Sequence, residues 1–363
     1  MIYLHFSGRR KEGAVSDLFF PQFAGNSTLR AQLATDLRHA TFSHAYILEG
    51  PQGFGKHTLA RLIAMAAACE RRTDEGAPLP CGQCKFCRKI AAGNCHDVIT
   101  VSREADRATM GVNVIRDLRR GIAAVPNDLN LKIYIIEDAH TMTEEAQNAF
   151  LLTLEEPPPF VLFLLLTENA GALLETIRSR APRLRLQPIA REALAEHLLH
   201  SPEGISAGAP TLKREASEEF EALLTLSGGS IGRALTLLDA TARAPHLQYR
   251  ENAKRLLALL ADRDKGEGIL LLLRSFGTVR QEVLAQLSAV SLALRDLILL
   301  SQSEHAPLIF FTDREAATDL AESFTAMRLF SLGEQIAAAE AMLERNANVR
   351  LTLTHLFTQL LNT

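Results

Sequence analysis

The sequence predicts an α/β domain, a parallel sheet flanked by helices, followed by a long all-α region. Short apolar runs alternate with helical patterns from Ala45 to about Pro188, and a glycine-rich turn follows the first run. Beyond Pro188, apolar residues recur at helical spacing almost throughout.

Strands are expected at residues 45–48, 98–101, 132–136, 161–166 and 183–186, all short apolar runs of the kind a doubly covered parallel sheet buries. Helical patterns at 59–68, 111–125, 144–154 and 173–178 lie between them. After Pro188, patterns at 191–200, 215–226 and 231–240 predict a small helical unit, interrupted by a loop at 201–210. A break is expected near Ala244-Pro245, because proline removes a helical hydrogen bond. Amphipathic stretches follow at 249–260, 268–275, 279–301, 314–321 and 329–361. There is no fixed-period repeat, low-complexity tract or sustained heptad seam.

The chain has 363 residues, 47% hydrophobic and 22% charged, enough for two or three domains. Its formal charge of −3 argues against charge-driven nucleic-acid binding by the isolated chain. The N-terminal residues 1–12 place their charges after a short apolar stretch, the reverse of a signal peptide. The longest unbroken apolar runs, 62–69 and 160–166, are far shorter than a membrane span. A cytoplasmic protein without a membrane partner is therefore expected.

The turn after the first strand reads Gly50-Pro51-Gln52-Gly53-Phe54-Gly55-Lys56-His57-Thr58. It has the glycines and the lysine of a phosphate-binding loop, set between a strand and a helix as such a loop requires. His57 replaces the Ser or Thr whose hydroxyl binds Mg²⁺, and imidazole is a poor ligand for that hard, oxygen-seeking cation. Thr58 comes one residue late, which on a helix turns the side chain by about 100°.

The run 132–136 ends in Glu137 and Asp138. Acids at a strand tip beside a phosphate loop hold the Mg²⁺ shell and polarise the attacking water. The order here is the reverse of the usual Asp-Glu. Thr167, at the tip of the run 161–166, is a candidate for hydrogen bonding to the γ-phosphate or the lytic water; alone, it is simply a good strand former. Arg180, after the pattern 173–178, is either a helix-end cation opposing the dipole or an arginine finger for a neighbouring subunit.

Cys81, Cys84 and Cys87 at C-x2-C-x2-C spacing, with Cys69 upstream, offer four thiolates to a closed tetrahedral zinc site of the structural kind. Cys69 is the expected fourth ligand, and Cys95, followed by His96, competes for that position.

Several strings together resemble the AAA+ clamp-loader subunits of bacterial DNA polymerase III. They are Phe42-Ser-His-Ala-Tyr46, the cysteine module, Glu144-Glu-Ala-Gln-Asn-Ala-Phe-Leu-Leu-Thr-Leu-Glu-Glu-Pro-Pro158, Thr176-Ile-Arg-Ser-Arg180 and Asn346-Ala-Asn-Val-Arg-Leu351. The resemblance covers most of the chain. It implies phosphate-loop roles for Gly50, Gly53, Gly55, Lys56, His57 and Thr58, Walker B roles for Glu137 and Asp138, and a sensor 1 role for Thr167. It also implies zinc ligation by Cys69, Cys81, Cys84 and Cys87, and a trans-acting role for Arg180, with Ala181 in place of the motif's usual cysteine. The sensor 2 arginine position of hydrolysing members falls on Gly232, with Arg233 one residue later.

By resemblance, the fold would be an AAA+ domain with a zinc-module insertion at 1–188, a small helical lid at 189–243 and an all-α collar at 244–363. The changes at His57, Glu137-Asp138 and Gly232 weaken hydrolysis and leave the donated arginine intact. They imply a subunit without independent ATPase activity, binding ATP or ADP weakly or not at all. Its partners would be gamma/tau and delta subunits in a hetero-pentamer, the sliding clamp, and primed DNA through the complex. The alternative is an ATP-hydrolysing gamma/tau-type subunit, with Thr58 or water replacing the lost ligand.

Overall fold

Apolar runs too long to leave one face in water set the architecture of the first half. A computed structural model describes residues 18–361, apart from 22, 40, 41, 75, 105, 106, 263–265, 304 and 307. The signal-peptide reading of residues 1–12 therefore lies outside the described residues. The chain divides into two units, one of residues 1–194 with Gly229–Gly232 and the other of Ala195–Gly228 with Arg233–Thr363.

In the first unit the order is α1 (Ser27–Arg38), β1 (Ala45–Glu49), α2 (Lys56–Ala67), α3 (Lys85–Ala91), β2 (Val98–Val101), α4 (Val112–Ile122) and β3 (Lys132–Ile136). Then come α5 (Glu144–Glu155), β4 (Val161–Thr167), α6 (Glu175–Arg178) and β5 (Arg183–Arg185). The strands form a five-stranded sheet in the order β2-β3-β4-β1-β5, parallel at every pairing. Each expected strand is present to within one residue. The pattern expected at 173–178 is shorter as a helix: a 3₁₀ turn at Ala170–Ala172 precedes α6.

Every residue of β1, β3 and β4 is buried, so side chains alternate between two cores. Leu48, Leu162, Leu164 and Leu166 pack with Leu33, Leu37, Leu59 and Ile63 from α1 and α2. Ile47, Phe163 and Leu165 pack with Ile115, Leu118 and Phe150 from α4 and α5. Burying each such side chain contributes about 1.5–3 kcal/mol before ordering costs. β5 is one of the two edges, and exposed Arg183 and Arg185 flank its one buried residue, Leu184, a charge pattern that discourages edge-to-edge association.

The second unit is helical. α7 (Arg191–His200) leads into it, followed by α8 (Pro202–Ser206), α9 (Ala209–Glu215), α10 (Ser217–Ser227), α11 (Ile231–Leu238) and α12 (Ala240–Ala261). α13 (Gly266–Ser275), α14 (Arg280–Leu300), α15 (Arg314–Glu322), α16 (Ala326–Glu344) and α17 (Val349–Leu361) complete it. Two expectations are corrected here. The loop expected at 201–210 is instead α8 and the start of α9; Ser201 caps α8 by accepting from the Gly204 amide at 3.1 Å, and Pro202 takes the first helical position. The break expected at Ala244-Pro245 is absent, since α12 runs through it. Asp239 caps α12, and buried Arg243 donates to the Leu237 and Leu238 carbonyls at 3.0 and 3.1 Å, anchoring the turns around the proline. The stretch 329–361 is two helices, parted at Asn346 with φ +66°, a left-handed conformation in which asparagine is enriched.

Among the described residues, Arg280–Leu300 alone is long and apolar enough to cross a membrane by length and composition, with mean hydropathy 1.8. Its Val283, Leu287, Val290, Leu294 and Leu297 are spent in the helical core. Asp296, on the same helix, has no exposed surface and ties down the segment 309–311. It accepts from the backbone amides of Ile309 at 2.9 Å, Phe310 at 2.6 Å and Phe311 at 3.2 Å. Buried Arg250 donates to the Phe310 carbonyl and lies 4.5 Å over its ring. Asp296→Ala would strand these amides, so we expect a loss of about 2–4 kcal/mol, read from the denaturation midpoint of the intact chain. An unchanged midpoint would refute the role of this knot.

Candidate functional site

In a parallel sheet all carboxyl ends lie on one edge, and there the candidate nucleotide site is built. Glu49 pairs with Thr167 and Ile136 with Leu165, so the loop after β1, the acids after β3 and the tip of β4 converge. Gly53 and Gly55 hold φ of +80° and +85°, the left-handed region that glycine occupies without strain. A Cβ on Gly55 would also sit 3.1 Å from the Phe23 ring. The Gly50 amide donates to the Thr167 carbonyl at 3.1 Å, tying the loop to the sheet.

Lys56 is buried and turned inward. Its Nζ donates to the loop's own carbonyls, Gly50 O at 2.5 Å and Pro51 O at 3.1 Å. Burial lowers its pKa below the usual lysine value, while the charges of Glu168 and Asp138 pull the other way. A phosphate would have to draw this ammonium off two carbonyls.

His57 faces the acid that the sequence placed in the metal shell: its Nδ1 lies 3.5 Å from Glu137 Oε1. The two acids diverge. Asp138 has a left-handed backbone, φ +44°, and its carboxylate approaches Arg103 at 3.9 Å. His57 and Thr58, both exposed, line a side cleft of about 290 Å³ with Arg61 and Cys95. The Thr167 hydroxyl is fully buried and accepts from the Asn169 amide at 3.2 Å.

Gly232 also belongs to this site. Its amide donates to Gly53 O at 3.2 Å, and a Cβ there would lie 3.1 Å from both Gly53 Cα and O. At that separation from backbone, any side chain requires the phosphate loop to shift. Glu49, which sequence reasoning did not single out, is buried directly before the loop. It accepts from the Ala170 amide at 3.0 Å and pairs with Arg183. A lone acid closing an apolar strand was its only sequence signal.

The Sγ atoms of Cys69, Cys81, Cys84 and Cys87 all lie within 4.8 Å of one another. Cys95 is elsewhere, grouped with Asp97 and Asp128. The Cys84 amide donates to Cys81 Sγ and the Cys87 amide to Cys84 Sγ, each at 3.4 Å, an arrangement that supports thiolate charge. The hydrogen bond with Cys87 pulls the Cys69 thiol down to about 5 and pushes Cys87 up. Four converging soft donors with no position left over suit tetrahedral zinc. Asp97 has both carboxylate oxygens engaged by backbone: Oδ1 accepts from the Asn127 amide and Oδ2 from those of Asp128 and Leu129. Although burial raises its pKa, the amides of Asn127, Leu129 and Asp128 hold it below the usual carboxylate value.

Arg180 is not part of the phosphate-loop constellation. Its Nη1 donates to Thr176 O at 3.0 Å and its Nη2 to Glu155 Oε1 at 3.1 Å, with 37% of its side chain exposed. Gln147, buried in α5, donates to the Met142 and Ala172 carbonyls and accepts from the Leu174 amide at 2.7 Å. Neither Glu155 nor Gln147 was singled out from sequence, though both stand in the 144–158 string.

A profile of the family described as "DNA polymerase III, delta subunit" matches residues 25–190. DNA polymerase III subunit tau of Bacillus subtilis is 33% identical over 221 residues, 61% of this chain and 37% of that protein. Subunit gamma of Buchnera aphidicola subsp. Schizaphis graminum is 30% identical over 69% of this chain and 66% of its own length. Subunit delta' of Pseudomonas aeruginosa is 34% identical over 63% of this chain and 65% of its own. The chain thus spans between about a third and two thirds of these relatives. With the parallel sheet, the phosphate loop and the inserted cysteine cluster, these likenesses place it in one family: the chain belongs to the AAA+ clamp-loader subunits of DNA polymerase III, the gamma/tau/delta' group.

Proposed function

We propose that this chain is a delta-prime-type subunit. In this reading it hydrolyses little or no ATP itself, donates Arg180 to a neighbour's ATP site and helps load the sliding clamp on primed DNA. The observation that supports this best is the pairing of His57 with Glu137: an imidazole faces the acid that would otherwise serve the metal shell. Lys56 spent on loop carbonyls and Gly232 packed against Gly53 act in the same direction. Identities of 33%, 30% and 34% to tau, gamma and delta' do not separate the branches, so these residues carry the choice.

The proposed partners are gamma/tau and delta subunits in a hetero-pentamer, the sliding clamp, and primed DNA through the complex, in the cytoplasm. We assign residues 1–188 to the nucleotide-binding-like domain, 189–243 to a lid and 244–363 to an oligomerising collar, with one structural zinc on Cys69, Cys81, Cys84 and Cys87. The collar assignment is supported by the helical core cluster, whose residues run from Ala253 to Leu360. Zinc would cross-link the ends of the insertion and order it.

Arg180→Ala should slow ATP turnover by the assembled loader, with a loss approaching roughly 10³-fold at the one site it serves. The isolated chain should be unchanged; unchanged loader turnover sinks the proposal. Isolated-chain hydrolysis abolished by Lys56→Ala would instead establish the gamma/tau-type alternative. Any nucleotide affinity of the isolated chain should be the same with and without Mg²⁺ by calorimetry, whereas His57→Thr should make it magnesium-dependent. Metal analysis should find about one zinc per chain, lost in Cys84→Ser and kept in Cys95→Ser. Equal loss in both would refute the ligand set.

A further inference from the structure

Glu155 stands where helix energetics disfavour it. It is the last residue of α5, followed by Glu156 and then Pro157-Pro158, so two carboxylates crowd the negative end of the helix. A sequence selected for stability alone places a cation there. The half-exposed pair that Glu155 makes with Arg180 is of a kind that adds little to stability. Local rules broken without a stability return mark functional positions.

The geometry shows what the pair does. Arg180 has five N–H donors; Nη1 uses one on Thr176 O and Nη2 one on Glu155 Oε1. Among the described residues the remaining donors have no partner. One edge of the guanidinium is therefore pinned, and donors remain for an anion. The same helix holds the start of the arginine segment through Gln147, which accepts from the Leu174 amide and donates to the Ala172 carbonyl. Between these anchors, α6 is packed by fully buried Ile177. α5 is thus a bed that grips the segment on both sides, at Leu174 and at Arg180.

We infer that Glu155 is a positioning residue for the donated arginine: it holds the Arg180 guanidinium in a preset place and orientation, ready for a neighbour's nucleotide phosphates. This rests on the trans-arginine role proposed above. Misplacing a catalytic group by about 1 Å can cost up to ~10²-fold in rate.

The test uses the loader reconstituted with its gamma/tau and delta partners on clamp and primed DNA, with ATP as the probe. Assembly is checked first by sedimentation. Glu155→Ala should lower kcat about tenfold with KM for ATP unchanged, because the finger wanders while ground-state binding is untouched. Glu155→Gln keeps an oxygen acceptor for Nη2 and should stay within about twofold of the parent. Glu155→Ala turnover equal to or faster than the parent, Glu155→Gln as slow as Glu155→Ala, or failure of Glu155→Ala to assemble would each overturn the inference. If Arg180→Ala slows turnover and Glu155→Ala does not, the positioning role alone falls. If Arg180→Ala has no effect, the trans-arginine reading itself falls.

Discussion

The parallel register of β1, β3 and β4 is the constraint on which the rest depends. Because parallel strands end on the same side, residues distant in sequence meet without further machinery: Glu49 beside Thr167, and the acids after Ile136 beside the turn after Glu49. The register holds because each strand is apolar on both faces. A slip of one residue would exchange the Leu164 and Phe163 faces between two differently shaped cores.

Within that frame the phosphate loop is satisfied by protein. Its lysine bonds the Gly50 and Pro51 carbonyls, its third glycine faces Phe23, and Gly53 O receives the Gly232 amide. A hard cation between loop and acids would need oxygen ligands on both sides, and on the loop side His57 offers nitrogen. The departures at His57 and Gly232 are distant in sequence and act on the same loop.

The arginine segment follows a different rule. Its helix is a single turn and too short to be stable alone, so its place is fixed by what α5 offers it. Gln147 is valuable there because an amide side chain both donates and accepts, and it satisfies three backbone groups of the Met142 and 172–174 loops at once. The 144–158 string is therefore informative as a surface: Ala146, Phe150 and Leu154 are buried in the core, Leu152 is exposed, and Gln147 and Glu155 bond the segment next door.

Sequence alone determined the strands nearly to the residue, the phosphate loop, the acid pair and the ligand-type cysteines, because each is a local pattern of burial or spacing. It misjudged the 201–210 loop and the break at Pro245, where caps and buried arginine contacts outweighed local propensity, and it left undivided the 329–361 stretch that forms two helices. Other features were decided only by tertiary structure. Cys69 rather than Cys95 joins the cluster, His57 meets Glu137, Gly232 abuts Gly53, and Glu155 meets Arg180. These partners lie 25 to 179 residues apart or compete at similar separations, and no periodicity encodes such pairings. They arise when the sheet and its helices fix the distances, after which short-range hydrogen bonding and charge select the partners.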